Sequence, residues 1–160
     1  PADFTITGQQ NLLLRSSSRG AFNHFYVTTM KMPGPNVVLD FAASGMDAEL
    51  QPHMRWGTGL LVDRAILDTG PIEYMNRNIA GSGHGWAMAW GVAWNSVAQK
   101  IRMDQPPGAT NWAIGCKGTM QGTPPGTFDS PGTPVFPSSL YLAQLCERLG
   151  PQALANIGYQ

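Results

Sequence analysis

Short apolar runs, each opened by Asn or Gly, recur along the chain. Five of them align without gaps: Asn11 followed by LLLRSSS, Asn36 by VVLDFAA, Gly59 by LLVDRAI, Gly91 by VAWNSVA and Asn111 by WAIGCKG. The spacing of their starts is nearly regular, apart from one longer interval between Gly59 and Gly91. Aliphatic and β-branched runs of this length, bounded by turn residues, predict strands. The second position reads Leu12, Val37, Leu60, Val92, Trp112, and the fourth reads Leu14, Leu39, Val62, Trp94, Ile114. Residues two apart on a strand share a face, so these two apolar columns are expected to point inward. The fifth position, Arg15, Asp40, Asp63, Asn95 and Gly115, is expected to point outward. Asn or Gly at the first position suits a tight bend entering each strand.

A repeat of about 20–25 residues, with one long insertion, is the spacing of a β-solenoid coil with variable loops. Sandwich strands recur about every 8–12 residues and alternate more cleanly. These runs are nearly continuous in apolar character, as parallel strands are. The expectation is therefore an all-β chain: a parallel β-helix, or solenoid, of about five coils over residues 1–118. Residues 119–137 are rich in Gly, Pro, Thr and Ser and read as an irregular loop of the same domain. Ser138 and Ser139 offer an N-cap before a helix over Leu140–Leu149, which Gly150 ends and after which Pro151 opens a second turn. Leu142, Leu145, Leu149 and Leu154 are expected to form a short helical cap over an open solenoid end.

Composition narrows the partners. Only 12% of the 160 residues are charged and the formal net charge is zero, which disfavours nucleic acid and anionic membrane surfaces. No apolar run approaches the roughly 20 residues of a membrane span. Five Trp, four Tyr and six Phe leave aromatic surface for a neutral partner, with sugars the natural class. Cys116 and Cys146 do not form a metal motif; a disulfide and two buried thiols are both open. A chain that starts at Pro1, without an initiator Met or a signal peptide, reads as processed or as a segment of something longer.

Three stretches carry a resemblance: His53 followed by MRWGTG, Gly81 by SGHGWAMAWGVAWN and Gln105 by PPGATNWAIG. Over about residues 36–118, and loosely to Tyr141 followed by LAQL, the chain resembles the C-terminal coils of secreted bacterial right-handed parallel β-helix proteins of the pectate-lyase-like, carbohydrate-active kind. The resemblance implies a right-handed β-helix, a secreted or cell-surface location and a polysaccharide partner. It leaves activity open, because lyases, hydrolases, epimerases and non-catalytic binders share that scaffold. It also suggests further β-helix coils or another chain at the N-terminal end.

Polysaccharide lyases must neutralise a uronic acid carboxylate and remove the C5 proton. No cofactor is required by the sequence, although Ca²⁺ is one means of neutralisation. Asp40, Asp63 and Asn95 on successive coils are candidate Ca²⁺ ligands, since carboxylates stacked about 4.8 Å apart repel unless a cation intervenes. The alternative is a hydrogen-bonded surface ladder with Asp63 paired to Arg64 or Arg55.

His53, Arg55 and Trp56 precede the third strand, and His84 and Trp86 precede the fourth. If their loops share one side, His84, His53 and Arg55 are candidate catalytic residues and Trp56 and Trp86 candidate sugar-stacking rings. The alternative is structural, with the imidazoles bonded to loop carbonyls and the indoles filling the shoulders of the solenoid. His24 reads as structural. Gly81 followed by SGHG lacks the Lys and the helix of a phosphate loop, so nucleotide binding is set aside.

The leading expectation is interaction with an extracellular polysaccharide, with β-elimination on a uronic acid polymer if the chain is an enzyme. The alternative is a non-catalytic carbohydrate-binding or structural β-helix segment of a larger protein, which the short length favours.

Overall fold

The computed structural model describes residues 2–20, 23–45 and 48–160. In chain order the elements are β1 (Ala2–Ile6), β2 (Asn11–Leu14), β3 (Ser17–Arg19), β4 (His24–Thr28), β5 (Asn36–Leu39), β6 (Ala42–Ser44), β7 (Glu49–Pro52), β8 (Gly57–Thr58), β9 (Leu60–Asp63), β10 (Ile66–Leu67) and β11 (Ile72–Tyr74). A helical turn, α1 (Ala80–Gly83), then leads to β12 (Met88–Ala89), β13 (Val92–Trp94), β14 (Val97–Met103), β15 (Trp112–Ile114), β16 (Lys117–Gln121) and β17 (Thr127–Asp129). Helices α2 (Leu140–Leu149) and α3 (Pro151–Asn156) close the chain.

Strand pairing is parallel in all three sheets. Eight strands run in the order β1-β4-β7-β11-β14-β10-β6-β3 as one continuous, nearly closed barrel-like sheet, with β16 added on β14. A six-stranded sheet runs β17-β15-β13-β9-β5-β2, and β8 pairs with β12 apart from both. This corrects the expected right-handed β-helix of about five coils: the class is a parallel-strand sheet fold with few helices. The physical reason lies in β14. Its seven residues are long enough to pair with β10 at Val97 and with β11 from Ile101 to Met103, which joins two runs of strands into one sheet.

The faces of the repeat also differ from the expectation. In the six-stranded sheet Leu12, Val37, Leu61, Val92 and Trp112 are aligned, so the third segment is shifted by one residue and Leu60 lies opposite Asn36. Leu60 and Val62 do face the core. In the other four segments the core column is the one between the two expected columns. Val38, Ala93 and Ala113 are buried in the core cluster with Val62, and Leu13 and Phe128 pack against it. The second and fourth positions of those four segments point to the opposite face. That face remains apolar because α2 and the C-terminal residues pack over it. The helices therefore cover a sheet face near β9 rather than a sheet end. The helix expected over Leu140–Leu149 forms with those bounds, Ser139 Oγ accepting from the Leu142 amide. Residues 119–137, expected to be an irregular loop, supply most of β16 and all of β17.

After each strand of the six-stranded sheet the backbone turns through one left-handed residue. Arg15, Asp40, Arg64, Asn95, Gly115 and Ser130 have φ between 45° and 67°. Asp, Asn and Gly tolerate this region best. The turn column passes through Arg64, so Asp63 belongs to the strand before it. Cys116 and Cys146 are free thiols, and burial pushes the Cys116 thiol up to about 11.

Candidate functional site

Two loops distant in sequence, at His53 and His84, are brought side by side. The β8–β12 ladder sets Gly57 opposite Met88, and the Arg55 amide donates to the His84 carbonyl at 2.8 Å. The His53 and His84 rings meet edge to face, 4.7 Å between centroids. The loop around His84 is held by backbone bonds from His84 N to the Ala80 carbonyl and from Gly85 N to the Asn78 carbonyl. Gly81, at φ 55°, lets the imidazole lie on its Cα; a Cβ there would collide with His84 Nε2. Arg77 Nη1 donates to the His53 carbonyl at 2.7 Å.

Both imidazoles are held below the ordinary histidine value. For His53 the causes are burial first, then the charges of His84, Arg77 and His24. For His84 they are burial, then Arg77 and Arg55. Each is thus neutral near pH 7 and able to accept a proton. His84 Nδ1 is shut off from solvent with no hydrogen-bond partner. The Arg55 side chain lies along Gly83 and Gly85, the glycines on either side of His84. Trp56 is 52% exposed, whereas Trp86 is half-buried and bridged to Asn76. His24 and His53 both line a shallow hollow of about 300 Å³ with Ala2, Thr5 and Val27. The structure thus brings His53, His84 and Arg55 together, with His24 at their border and Trp56 and Trp86 following in the same two loops.

Asp40, Asp63 and Asn95 are not assembled into a metal site. Asp40 takes a two-point ion pair from Arg64, at 2.8 and 2.6 Å, and a hydrogen bond from the Tyr159 hydroxyl. Asp63 is fully buried and accepts from Ser139 Oγ at 2.7 Å and the Tyr141 amide at 2.8 Å. Its carboxyl is pushed up by burial, against the pull of those two donors and of Arg64. Asn95 is bound to the 135–138 segment through the Val135 amide and the Val135, Pro137 and Ser138 carbonyls. Among the described residues no group of three or more His, Cys, Asp or Glu is placed to hold a metal ion, and no helix is long and apolar enough to cross a membrane. Nor does Asp63 pair with Arg64 or Arg55 in a surface ladder: it is buried under the start of α2, and Arg64 pairs with Asp40.

One polar group escaped the sequence reading. Glu49 and Glu73 lie on neighbouring strands, β7 and β11, and share a donor in Gln51 Nε2. The repeat alignment could not flag them, because both sit outside the five aligned segments. Comparison with models of protein families, with curated proteins and with solved structures finds no match to this chain.

Proposed function

We propose that this chain engages an extracellular polysaccharide that contains uronic acids, at the loop cluster of His53, Arg55, Trp56, His84 and Trp86. The observation that carries the reading is the contact between two neutral imidazoles, His53 and His84, beside the Arg55 guanidinium. In β-elimination, a neutral imidazole takes the C5 proton. The C5–H electrons form the C4–C5 double bond, and the C4–O bond breaks with its pair on the leaving oxygen, which then takes up a proton. Arg55 offsets the carboxylate charge that builds up at C5. Nothing in this sequence of steps requires Ca²⁺. The exposed Trp56 ring supplies a stacking surface, and a secreted or cell-surface location follows from such a partner.

A second reading, a non-catalytic carbohydrate-binding segment of a larger protein, is favoured by that same exposed indole. Ultraviolet absorbance of unsaturated products on polygalacturonate and alginate separates the two. The first reading expects absorbance that His84→Ala abolishes. Both expect Trp56→Ala to weaken binding by about 0.5–1.5 kcal/mol, by analogy with aromatic pairs. Binding without absorbance leaves the second reading, and absence of both eliminates the proposal.

A further inference from the structure

A groove of about 530 Å³ lies open on the outer face of the barrel-like sheet, apart from the loop cluster. Glu49, Glu73, Gln99, Lys100, Thr119 and Gln121 line it. The register explains why they converge. Ile72 is opposite Leu50 and Ile101, all three pointing into the core, so the residues flanking them along each strand point out. Thr119 is then opposite Lys100, and Gln121 opposite Arg102, which faces Glu73.

The two carboxyls form the floor. Gln51 Nε2 donates to Glu49 Oε2 at 3.1 Å and to Glu73 Oε2 at 2.9 Å. Lys100 Nζ is 2.6 Å from Glu73 Oε1. His24 Nδ1 is 3.1 Å from Glu49 Oε1. Glu73 is 5% exposed and Gln51 2% exposed, and Gln51 Oε1, on the amide aimed at the pair, has no partner. The two carboxyls are linked through the Gln51 amide they share, and each perturbs the other. Burial and then Glu49 push Glu73 up, against Lys100. For Glu49 burial acts upward, but His24, Glu73 and Arg77 outweigh it and hold the carboxyl below its ordinary value. Two carboxyls joined through Gln51, one of them also held by Lys100, offer acceptors side by side.

We propose that this groove is a binding site for a neutral, hydroxyl-rich saccharide segment, with Glu49 and Glu73 reading adjacent ring hydroxyls and Gln99, Thr119 and Gln121 flanking them. Charge selects the class. A uronate carboxylate would have to lie against Glu49, and an ammonium sugar against Lys100. Amide and hydroxyl walls suit neither ion but match sugar hydroxyls. The site meets the border of the loop cluster at His24, which contacts Glu49, and takes a different class of sugar.

Affinity electrophoresis in gels of hydroxyethyl cellulose, galactomannan, xylan and polygalacturonate tests it. The full chain is expected to be retarded by at least one of the neutral polymers. In that polymer Glu49→Gln, which keeps the side-chain volume but not the charge, weakens binding about tenfold, as does Gln121→Ala at the exposed wall. Retardation by polygalacturonate, if present, stays unchanged in Gln121→Ala, which separates this groove from the loop cluster. Retardation by none of the neutral polymers overturns the proposal. So does neutral-polymer binding that neither variant alters, or loss of polygalacturonate binding in Gln121→Ala. Circular dichroism of each variant confirms that it is folded.

Discussion

Neutral imidazoles at His53 and His84 tie the stability of the loop cluster to pH. Both are depressed in the folded state from the ordinary value near 6.5, so the unfolded chain binds more protons as pH falls through that value. Their contribution is complete above pH 6.5 and is lost as pH drops through the folded values. Asp63 and Glu73, raised by burial, act in the opposite sense: their contribution is lost as pH rises above the carboxylate range. The His contribution is isolated by difference. The urea midpoint of the wild type is expected to fall more steeply from pH 7 toward pH 5 than that of His53→Gln/His84→Gln. Parallel slopes would refute the electrostatic description of the cluster. At this scale the candidate residues were legible, because His, Arg and Trp stand out in a chain with only 12% charge. The role of Asp63 was not legible. Its partners Ser139 and Tyr141 are 76 and 78 residues away, and only folding brings them to it.

Among the elements, the repeat located five of the six strands of the six-stranded sheet but assigned most of their faces wrongly. Apolar columns at the second and fourth positions match an inward face equally well as an outer face covered by helices. The distinction is visible at Leu60 and Leu61, adjacent residues on opposite faces of β9: Leu60 is 2% exposed in the core and Leu61 only half-buried. Leu60→Ala is expected to cost about 2–5 kcal/mol, the range for truncating a buried Leu. Leu61→Ala, on the less tightly covered face, should cost clearly less. Denaturant unfolding of the two variants measures the difference, and equal losses would contradict this register. The strands β16 and β17 were hidden by Gly, Pro and Thr. They form because β14 and β15 offer them parallel edges.

For the whole molecule, the C-terminal segment is latched onto the turn column. The Tyr159 hydroxyl donates to Asp40, the Arg15 guanidinium lies 4.9 Å from the centre of the Tyr159 ring, and Arg15 Nη1 donates to the Ile157 carbonyl at 3.0 Å. Asp63 holds the start of α2 through Ser139 and Tyr141. One end of the helical segment is therefore tied to β9 and the other to the turns after β2 and β5. Tyr159→Phe keeps the ring over Arg15 and removes only the hydroxyl. It is expected to cost about 0.5–1.5 kcal/mol, and to raise amide exchange in α3 more than in β9. Unchanged exchange in α3 would show that the latch contributes nothing.

Local chemistry in the amino-acid sequence determined the strands of the repeat, their parallel sense, and the helix over Leu140–Leu149 with its Ser139 cap. Each of these depends on residue type and spacing along the chain. The tertiary structure alone decided that eight strands run on as one nearly closed sheet, which face of each strand is core, which carboxylate meets Arg64, and that Glu49 and Glu73 share a groove. These depend on which strand end meets which neighbour, and a one-residue shift in register moves every side chain to the other face.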